Sequence, residues 1–151
     1  MKAVIQRVSD AVLKVDGKII SEIGNGYVIY LGVFKGDGEN EADYMIKKIP
    51  PLRIFEDENG KTNKSITDVG GEILLVSQFT LCANTKHGIR PDFLSAETPD
   101  RANELYLYVA EGLKKAGVPV KTGVFGADMK INQTNDGPFT IILEKFAEEK
   151  N

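Results

Sequence analysis

The segment from Tyr27 to Val33 is apolar at nearly every position, and it restricts the possible folds of this chain more than any other feature. A strand that faces water on one side alternates apolar and polar residues, whereas a continuous apolar run must be covered on both faces. A second buried run lies within Glu72–Leu81. The chain therefore needs a central sheet with other structure packed on each side of it.

Turn-forming and helix-capping residues between the apolar segments predict the remaining elements. Asp16-Gly17 separates Ala11–Val15 from Lys18–Ile23 and is typical of a tight β-hairpin, since Asp-Gly accepts the positive φ angles of a type I′ turn. Helical spacing predicts one helix from about Asn40 to Ile49 and another that begins at Pro99 after the capping residue Thr98 and ends before Gly117. Further strands are predicted at Met1–Val8, Leu52–Phe55, Val120–Ile131 and Phe139–Glu144, and the charged tail from Lys145 is expected to fray.

This pattern of many strands with two main helices predicts an α+β fold. The sheet is expected to be strongly curved, barrel-like and largely antiparallel, because the clear connections are hairpins. No repeat, linker or low-complexity segment interrupts the sequence, so residues 1–151 are predicted to form a single domain.

Composition excludes several classes of function. One cysteine, Cys82, and one histidine, His87, rule out an internal disulfide and make a zinc site of the usual Cys/His type implausible, so we predict neither metal nor cofactor. No apolar run approaches the roughly 20 residues that span a bilayer, and the N-terminus resembles a strand rather than a signal peptide, which favours the cytoplasm. The net charge of −3 argues against broad electrostatic adhesion to nucleic acid, although a local basic patch could still grip one RNA end.

Asn135-Asp136-Gly137-Pro138 lies directly before the apolar run Phe139-Thr140-Ile141-Ile142-Leu143. A Gly-Pro joint at the start of a buried strand is rigid and poor in side chains, so it could present two backbone carbonyls to a ligand. Gly-Pro also marks ordinary turns, and the residues alone leave both interpretations open.

Polar residues follow the second buried run. Ser77, Gln78 and Thr80 stand at the end of the predicted strand, where side chains are often delivered to a site, but a hydroxyl needs a base to become a nucleophile and none is evident. The alternative is a strand end whose hydroxyls bond to the backbone. Farther along, Gly126 could form a bulge that directs Asp128 and Met129, or Met129 could simply fill the core.

Lys86, His87 and Arg90 occupy a long loop between Asn84 and Phe93. Such a basic cluster could bind phosphates, and Lys47, Lys48 and Arg53 could extend it. Basic clusters of this kind are usually a solvated surface.

Several segments together resemble the D-aminoacyl-tRNA deacylase family, first described as D-tyrosyl-tRNA deacylases. The two signature motifs are Ser77-Gln78-Phe79-Thr80-Leu81 and Asn135-Asp136-Gly137-Pro138-Phe139-Thr140. The resemblance extends over nearly the whole chain through the segments Met1–Val8, Leu52–Asp57, Asp68–Leu74, Arg90-Pro91 with Phe93, and Gly123–Met129.

The resemblance implies hydrolysis of the ester between a D-amino acid and the terminal adenosine of tRNA. It implies a homodimer with active sites at the interface, in which a cis Gly137-Pro138 peptide reaches into the partner's site. Parallel carbonyls there would accept hydrogen bonds from the amino group of a D-aminoacyl ester, whereas an L side chain would collide with the backbone. Glycine has no side chain and would escape rejection.

The resemblance also implies roles for individual residues. Backbone amides of Phe79 and Thr80 are candidate donors to the oxyanion, and Gln78 and Ser77 would position the substrate. Without a visible base for Thr80, we favour attack by water assisted by the ribose hydroxyl of the substrate. The remaining residues are assigned to substrate binding and rejection of L-amino acids: Gly137 and Pro138, with Arg7 and Asn135 holding their loop, Met129 lining the pocket, and Thr140.

Two alternatives remain at this stage. One is a related editing deacylase for glycyl- or L-alanyl-tRNA, which a trans Gly137-Pro138 peptide would favour. The other is a non-catalytic dimer that binds the tRNA end. The sequence does not rank the D-amino acids or identify tRNA bases that are contacted.

Overall fold

The computed structural model describes residues 1–148. Within them, the strands are β1 (Lys2–Val15), β2 (Lys18–Ile23), β3 (Gly26–Gly32), β4 (Phe55–Glu56), β5 (Thr62–Lys64), β6 (Glu72–Ser77), β7 (Val120–Thr122) and β8 (Lys130–Glu144). The α-helices are α1 (Glu39–Lys48) and α2 (Pro99–Lys115). A single 3-10 turn, Phe79–Cys82, follows β6.

Strand β1 organises the main sheet. It pairs antiparallel with β8 along one edge, and along the other edge its first half pairs with β3 and its second half with β2. Beyond β3 the sheet continues with β6 and then β7. The pairs β3–β6 and β6–β7 are both parallel. The predicted α+β fold with a curved, barrel-like sheet and two helices is confirmed, and the two parallel pairs make the sheet mixed.

The apolar run in β3 is explained by two cores, one on each face of the sheet. Tyr27, Ile29 and Leu31 belong to the larger core beneath the helices, whereas Val28 belongs to a smaller core on the opposite face. All four side chains are almost fully buried. The prediction that this strand is covered on both faces is therefore confirmed, because alternate residues serve different cores.

Two predicted strands are shorter in the structure than in the sequence analysis. The run Glu72–Leu81 stops being a strand at Ser77, because Gly32 ends β3 and the chain turns to pack on it. A Cβ atom at Gly32 would lie 2.9 Å from the Cβ of Leu81. The predicted strand Val120–Ile131 ends at Thr122 and resumes at Lys130, and between them the chain forms a loop.

In β8, the predicted turn and the predicted strand Phe139–Glu144 form one element. Asn135 lies opposite Val8 and Thr140 lies opposite Gln6, so residues 136–139 stand across from Arg7 alone. The predicted turn is thus a bulge inside a long strand. The predicted strands Met1–Val8 and Ala11–Val15 likewise join into β1, and of Leu52–Phe55 only Phe55 is in a strand.

The tail does not fray where we predicted. The Met1 ammonium donates a hydrogen bond to the carbonyl of Lys145 at 2.6 Å, and the Lys145 amide donates back to Met1 at 2.9 Å. Phe146 packs edge-on against Phe34 with ring centroids 5.1 Å apart. The rest of the tail, beyond residue 148, lies outside the described residues.

Candidate active site

A cavity of about 510 Å³ opens where β6 ends, with the loop of residues 123–129 forming its opposite wall. Among the described residues no helix is long and apolar enough to cross a membrane, and no group of His, Cys, Asp and Glu is arranged to hold a metal ion. The walls are mostly apolar. They are formed by Val33, Val76, Ser77, Gln78, Phe79, Ala96, Glu97, Pro99, Ala102, Phe125, Gly126, Ala127, Asp128, Met129 and Ile131.

The turn after β6 leaves two backbone amides free, one on the wall of this cavity and one directly beside it. Gln78 makes the last hydrogen bond of the strand, to the carbonyl of Leu31 at 2.8 Å. The amides of Leu81 and Ala83 close the 3-10 turn by bonds of 3.2 Å each. Within residues 1–148, the amides of Phe79 and Thr80 have no acceptor. Free amides at the edge of a cavity can stabilise an oxyanion.

A glycine turn shapes the opposite wall. The amide of Ala127 donates to the carbonyl of Val124 at 3.1 Å, and Gly126 takes φ = +77°, as expected at the third position of a type II turn. Met129 then packs closely over Gly123, where a Cβ atom would lie 2.5 Å from its sulfur. The bulge that we considered at Gly126 is therefore a turn between strands. Asp128 and Met129 line the cavity, and Met129 also packs against the smaller core, as the alternative interpretation expected.

Thr80 is exposed and lies just outside the cavity wall. Its hydroxyl accepts a hydrogen bond from the side-chain amide of Gln78. Of the residues that the structure describes, no histidine, lysine or carboxylate bonds to this hydroxyl. The hydroxyl therefore lacks the base that a nucleophilic role requires.

The charged residues in the cavity wall are both acidic. Glu97 accepts a hydrogen bond from the backbone amide of Thr98 at 2.8 Å, and Asp128 pairs with Lys130 at 3.3 Å in an exposed contact. Such an exposed ion pair contributes little to stability and leaves the carboxylate available to solvent. The cavity is accordingly better suited to a cationic amino group than to a phosphate.

The second group of predicted site residues surrounds Arg7. Its side chain is 7% exposed, and the guanidinium donates to the carbonyl of Ile54 at 2.7 Å and to the carbonyl of Asp136 at 3.0 Å. It also lies 5.0 Å from the ring centroid of Phe139. Arg7 thus holds the bulge at both ends, while Gly137 and Pro138 at its centre are exposed and joined by a cis peptide bond.

A glutamine that the sequence analysis missed supports the same bulge. The side-chain amide of Gln133 donates to Asn135 at 2.6 Å and to Gln6 at 2.8 Å, and its carbonyl accepts from the Tyr30 hydroxyl at 2.7 Å. Burial raises the pKa of Tyr30, which keeps the hydroxyl protonated as a donor. The signal in the sequence is the period of a strand, since Gln133 and Asn135 share one face.

The two groups do not meet within one chain. Ser77, Gln78, Phe79 and Met129 line the cavity, whereas Arg7, Asn135, Gly137, Pro138 and Thr140 lie away from it. Arg7 aligns with Tyr27 and Ser77 aligns with Leu31, an offset of four residues. The offset places the bulge and Ser77 about 13 Å apart along the strands. The three strand spacings from β8 to β6 place them about 14 Å apart across the sheet.

Comparisons with known proteins match nearly the whole chain to deacylases. The family model described as D-Tyr-tRNA(Tyr) deacylase matches residues 4–144. A D-aminoacyl-tRNA deacylase of Persephonella marina is 56% identical over 97% of this chain and 99% of its own length. A D-aminoacyl-tRNA deacylase of Geotalea daltonii is 52% identical over 95% of this chain and 96% of its own length.

Solved structures show the same fold. A c-Myc DNA Unwinding Element Binding Protein superposes with a TM-score of 0.92 at 45% identity, covering 97% of this chain and 100% of that one. A probable eukaryotic D-amino acid tRNA deacylase superposes with a TM-score of 0.78 at 17% identity, covering 94% and 97%. From the sequence relatives and the matched model, the chain belongs to the D-Tyr-tRNA(Tyr) deacylase family and is a hydrolase.

Proposed function

We propose that this protein hydrolyses the ester bond of D-aminoacyl-tRNA in the cytoplasm and releases the free D-amino acid and tRNA. The observation that carries the proposal is the pair of free amides after β6, that of Phe79 on the cavity wall and that of Thr80 directly beside it, in a chain of this family. Ester hydrolysis builds negative charge on the carbonyl oxygen, and preorganised backbone donors stabilise that charge.

Water is the nucleophile in the reaction we propose. Its oxygen adds to the ester carbonyl, and the neighbouring ribose hydroxyl of the substrate relays the proton: it accepts one from the water while it donates its own to the departing ribose oxygen. That oxygen leaves as a hydroxyl when the tetrahedral intermediate collapses and its bond to the acyl carbon breaks. Ser77 and Gln78 position the acyl group, and Met129 packs against it. Thr80 contributes its backbone amide, and its hydroxyl accepts a hydrogen bond from Gln78. Neither role requires an activated hydroxyl.

The complete site requires a second copy of the chain. Gly137 and Pro138 are exposed and lie too far from their own cavity to line it, which supports a homodimer in which each bulge enters the partner's cavity. Their two carbonyls accept hydrogen bonds from the substrate amino group. Arg7 and Asn135 hold the bulge in place, and Thr140 continues the strand behind it.

Chirality is enforced by exclusion. With the amino group and the ester carbonyl both fixed, the side chain of a D-amino acid points away from the bulge. The side chain of an L-amino acid points into the Gly137-Pro138 backbone, which cannot move aside because Arg7 anchors it. Glycine carries no side chain, so glycyl-tRNA is also a substrate.

The test compares purified protein on D-tyrosyl-, L-tyrosyl- and glycyl-tRNA. We expect release of D-tyrosine and glycine with the L-ester intact. Cleavage of glycyl- or L-alanyl-tRNA with no action on the D-ester would identify the related editing deacylase instead. Survival of every ester would overturn the enzymatic proposal.

Mixing two defective variants tests the shared site. Ala127→Trp fills the cavity and Gly137→Val distorts the bulge, so each homodimer should be inactive. A heterodimer places an intact cavity against an intact bulge at one of its two sites. After random subunit exchange we expect about one quarter of wild-type activity, as follows from a closed twofold dimer. No recovery after exchange would show that each bulge serves its own subunit.

A second candidate is a nucleic-acid-binding dimer without turnover. It is favoured by the name of the solved structure that shares 45% of its sequence, a DNA unwinding element binding protein. Binding of tRNA or duplex DNA by a protein that cleaves none of the three esters would support it.

A further inference from the structure

A rigid loop stands beside the cavity mouth. We name residues 84–93 the basic loop. Asn84 and Asp92 close its base by reciprocal backbone hydrogen bonds of 2.8 and 3.0 Å. The Asn84 side chain accepts from the amide of Lys86 at 3.0 Å, and the Asp92 carboxylate accepts from the amide of Leu94 at 3.2 Å. The loop is therefore held by its own hydrogen bonds rather than by burial.

Its tip concentrates positive charge in an acidic protein. Lys86, His87 and Arg90 are exposed, and within residues 1–148 neither Lys86 nor Arg90 forms an ion pair. Ile89, between them, is 100% exposed. The chain as a whole carries a net charge of −3, so this surface differs in sign from the average.

The loop is coupled to the cavity through two aromatic rings. Phe93 at its base packs edge-on against Phe79, with ring centroids 5.1 Å apart, and Phe79 lines the cavity while remaining 56% exposed. Arg90 is three residues from Phe93, so their backbones are at most about 10 Å apart. The loop that carries the cations is thus joined at its base to the rim of a cavity whose own charged residues, Glu97 and Asp128, are acidic.

We propose that Lys86 and Arg90 bind backbone phosphates of the single-stranded 3′ end of the tRNA. The inference rests on the function proposed above. An aminoacyl-tRNA end is cationic at the amino group and anionic along the strand that follows, and the site has the same polarity, with an acidic cavity beside a basic loop. Ile89 offers an apolar surface for an unstacked base between the phosphate contacts. The arrangement binds the RNA strand and orients its esterified end toward the free amides.

The experiment compares a substrate with phosphates and one without. The double variant Lys86→Gln/Arg90→Gln is assayed on D-tyrosyl-tRNA and on D-tyrosyl-adenosine, against the matched control Lys18→Gln/Lys115→Gln, which removes the same charge from exposed positions elsewhere. For the tRNA we expect KM to rise about tenfold with kcat unchanged. The slope of log affinity against log salt should weaken by about 1.4, or about 0.7 for each lost contact to a single strand. Hydrolysis of D-tyrosyl-adenosine should not change.

Direct tRNA binding, measured by fluorescence anisotropy, separates the two proposals. Equal binding, equal KM and equal salt slope in the loop variant and the control would show that the basic loop is only a solvated surface. If the wild-type protein cleaved neither ester and tRNA binding were lost in the loop variant but not in the control, the loop inference would stand and the enzymatic proposal would be overturned. An equal loss on D-tyrosyl-adenosine would assign the two residues to the cavity rather than to phosphate binding.

Discussion

Replacing Arg7 with methionine keeps an unbranched apolar stem and removes the guanidinium and its charge from a buried position. Three contacts are lost. The guanidinium no longer donates to Ile54 at 2.7 Å or to Asp136 at 3.0 Å, and it no longer lies over the ring of Phe139 at 5.0 Å. The contact with the Asp136 carboxylate, at 3.6 Å, adds little because that side chain is 55% exposed.

The magnitude follows from these contacts. A hydrogen bond to a charged donor contributes about 1.5–3 kcal/mol, and a partly buried cation–π contact about 0.5–1 kcal/mol. Since the apolar methionine recovers part of the packing, we expect the free energy of unfolding to fall by about 3–5 kcal/mol. With an m-value of about 2 kcal/mol/M, the urea midpoint should drop by about 2 M.

Arg53→Met is the matched control, because Arg53 is exposed and its hydrogen bond to Asn63 is long, at 3.5 Å. Its effect should stay within about 0.5 kcal/mol. Amide hydrogen exchange at Asp136, Gly137 and Phe139 should speed up in the Arg7 variant and not in the control. If the free energy of unfolding of the Arg7 variant lay within about 1 kcal/mol of wild type, the anchoring role would be refuted. Removing a buried guanidinium with two carbonyl acceptors should lower that free energy by more than this amount.

The other predictions concern three positions. Thr80→Ala should retain activity within about tenfold of wild type in a single-turnover deacylation assay, since loss of a nucleophile costs orders of magnitude more. Gly137→Ala places a Cβ atom 2.8 Å from the Phe139 nitrogen at φ = +136°, and should reduce the D/L selectivity ratio, whereas Gly60→Ala, at φ = +73° with nothing within 4 Å, should not. Burial raises the pKa of the Cys82 thiol to about 11, so the folded protein keeps a proton that the unfolded chain releases. As pH rises from about 9 to about 11, the free energy of unfolding should therefore fall by on the order of 2 kcal/mol more than in Cys82→Ala, as shown by urea melts across that range.

Local chemistry made much of the fold predictable. The Asp16-Gly17 turn has the positive φ angles, 50° and 76°, that its residues favour, and Pro99 begins α2 as expected. The length of β6 was not predictable, because Phe79 and Leu81 continue its apolar pattern. The strand ends where its parallel partner β3 ends, and that pairing joins segments that are distant in sequence.

The candidate site was predictable as two motifs and not as one arrangement. Asn135 through Pro138 have the composition of a turn, yet β1 pairs with residues on both sides of them and makes them a bulge. Which residues support the bulge also depends on that register, so Gln133 and the carbonyl of Ile54 could not be identified from the motif. The separation between bulge and cavity follows from strand order and register, and it is the feature on which our proposal of a homodimer rests.

The division of labour that we propose between RNA binding and chiral selection leads to a last expectation. Contacts from Lys86 and Arg90 to phosphates are the same whichever amino acid the tRNA carries, so they strengthen binding of D- and L-esters equally and cannot discriminate between them. Contacts from Gly137 meet only the aminoacyl group. The loop variant should therefore change kcat/KM for D-tyrosyl- and glycyl-tRNA by the same factor and leave their ratio constant. The Gly137 variant should change the D/L ratio while keeping the salt dependence of tRNA binding. If loop substitutions altered the D/L ratio, the RNA strand would help to position the ester against the bulge, and the two functions would not be separable.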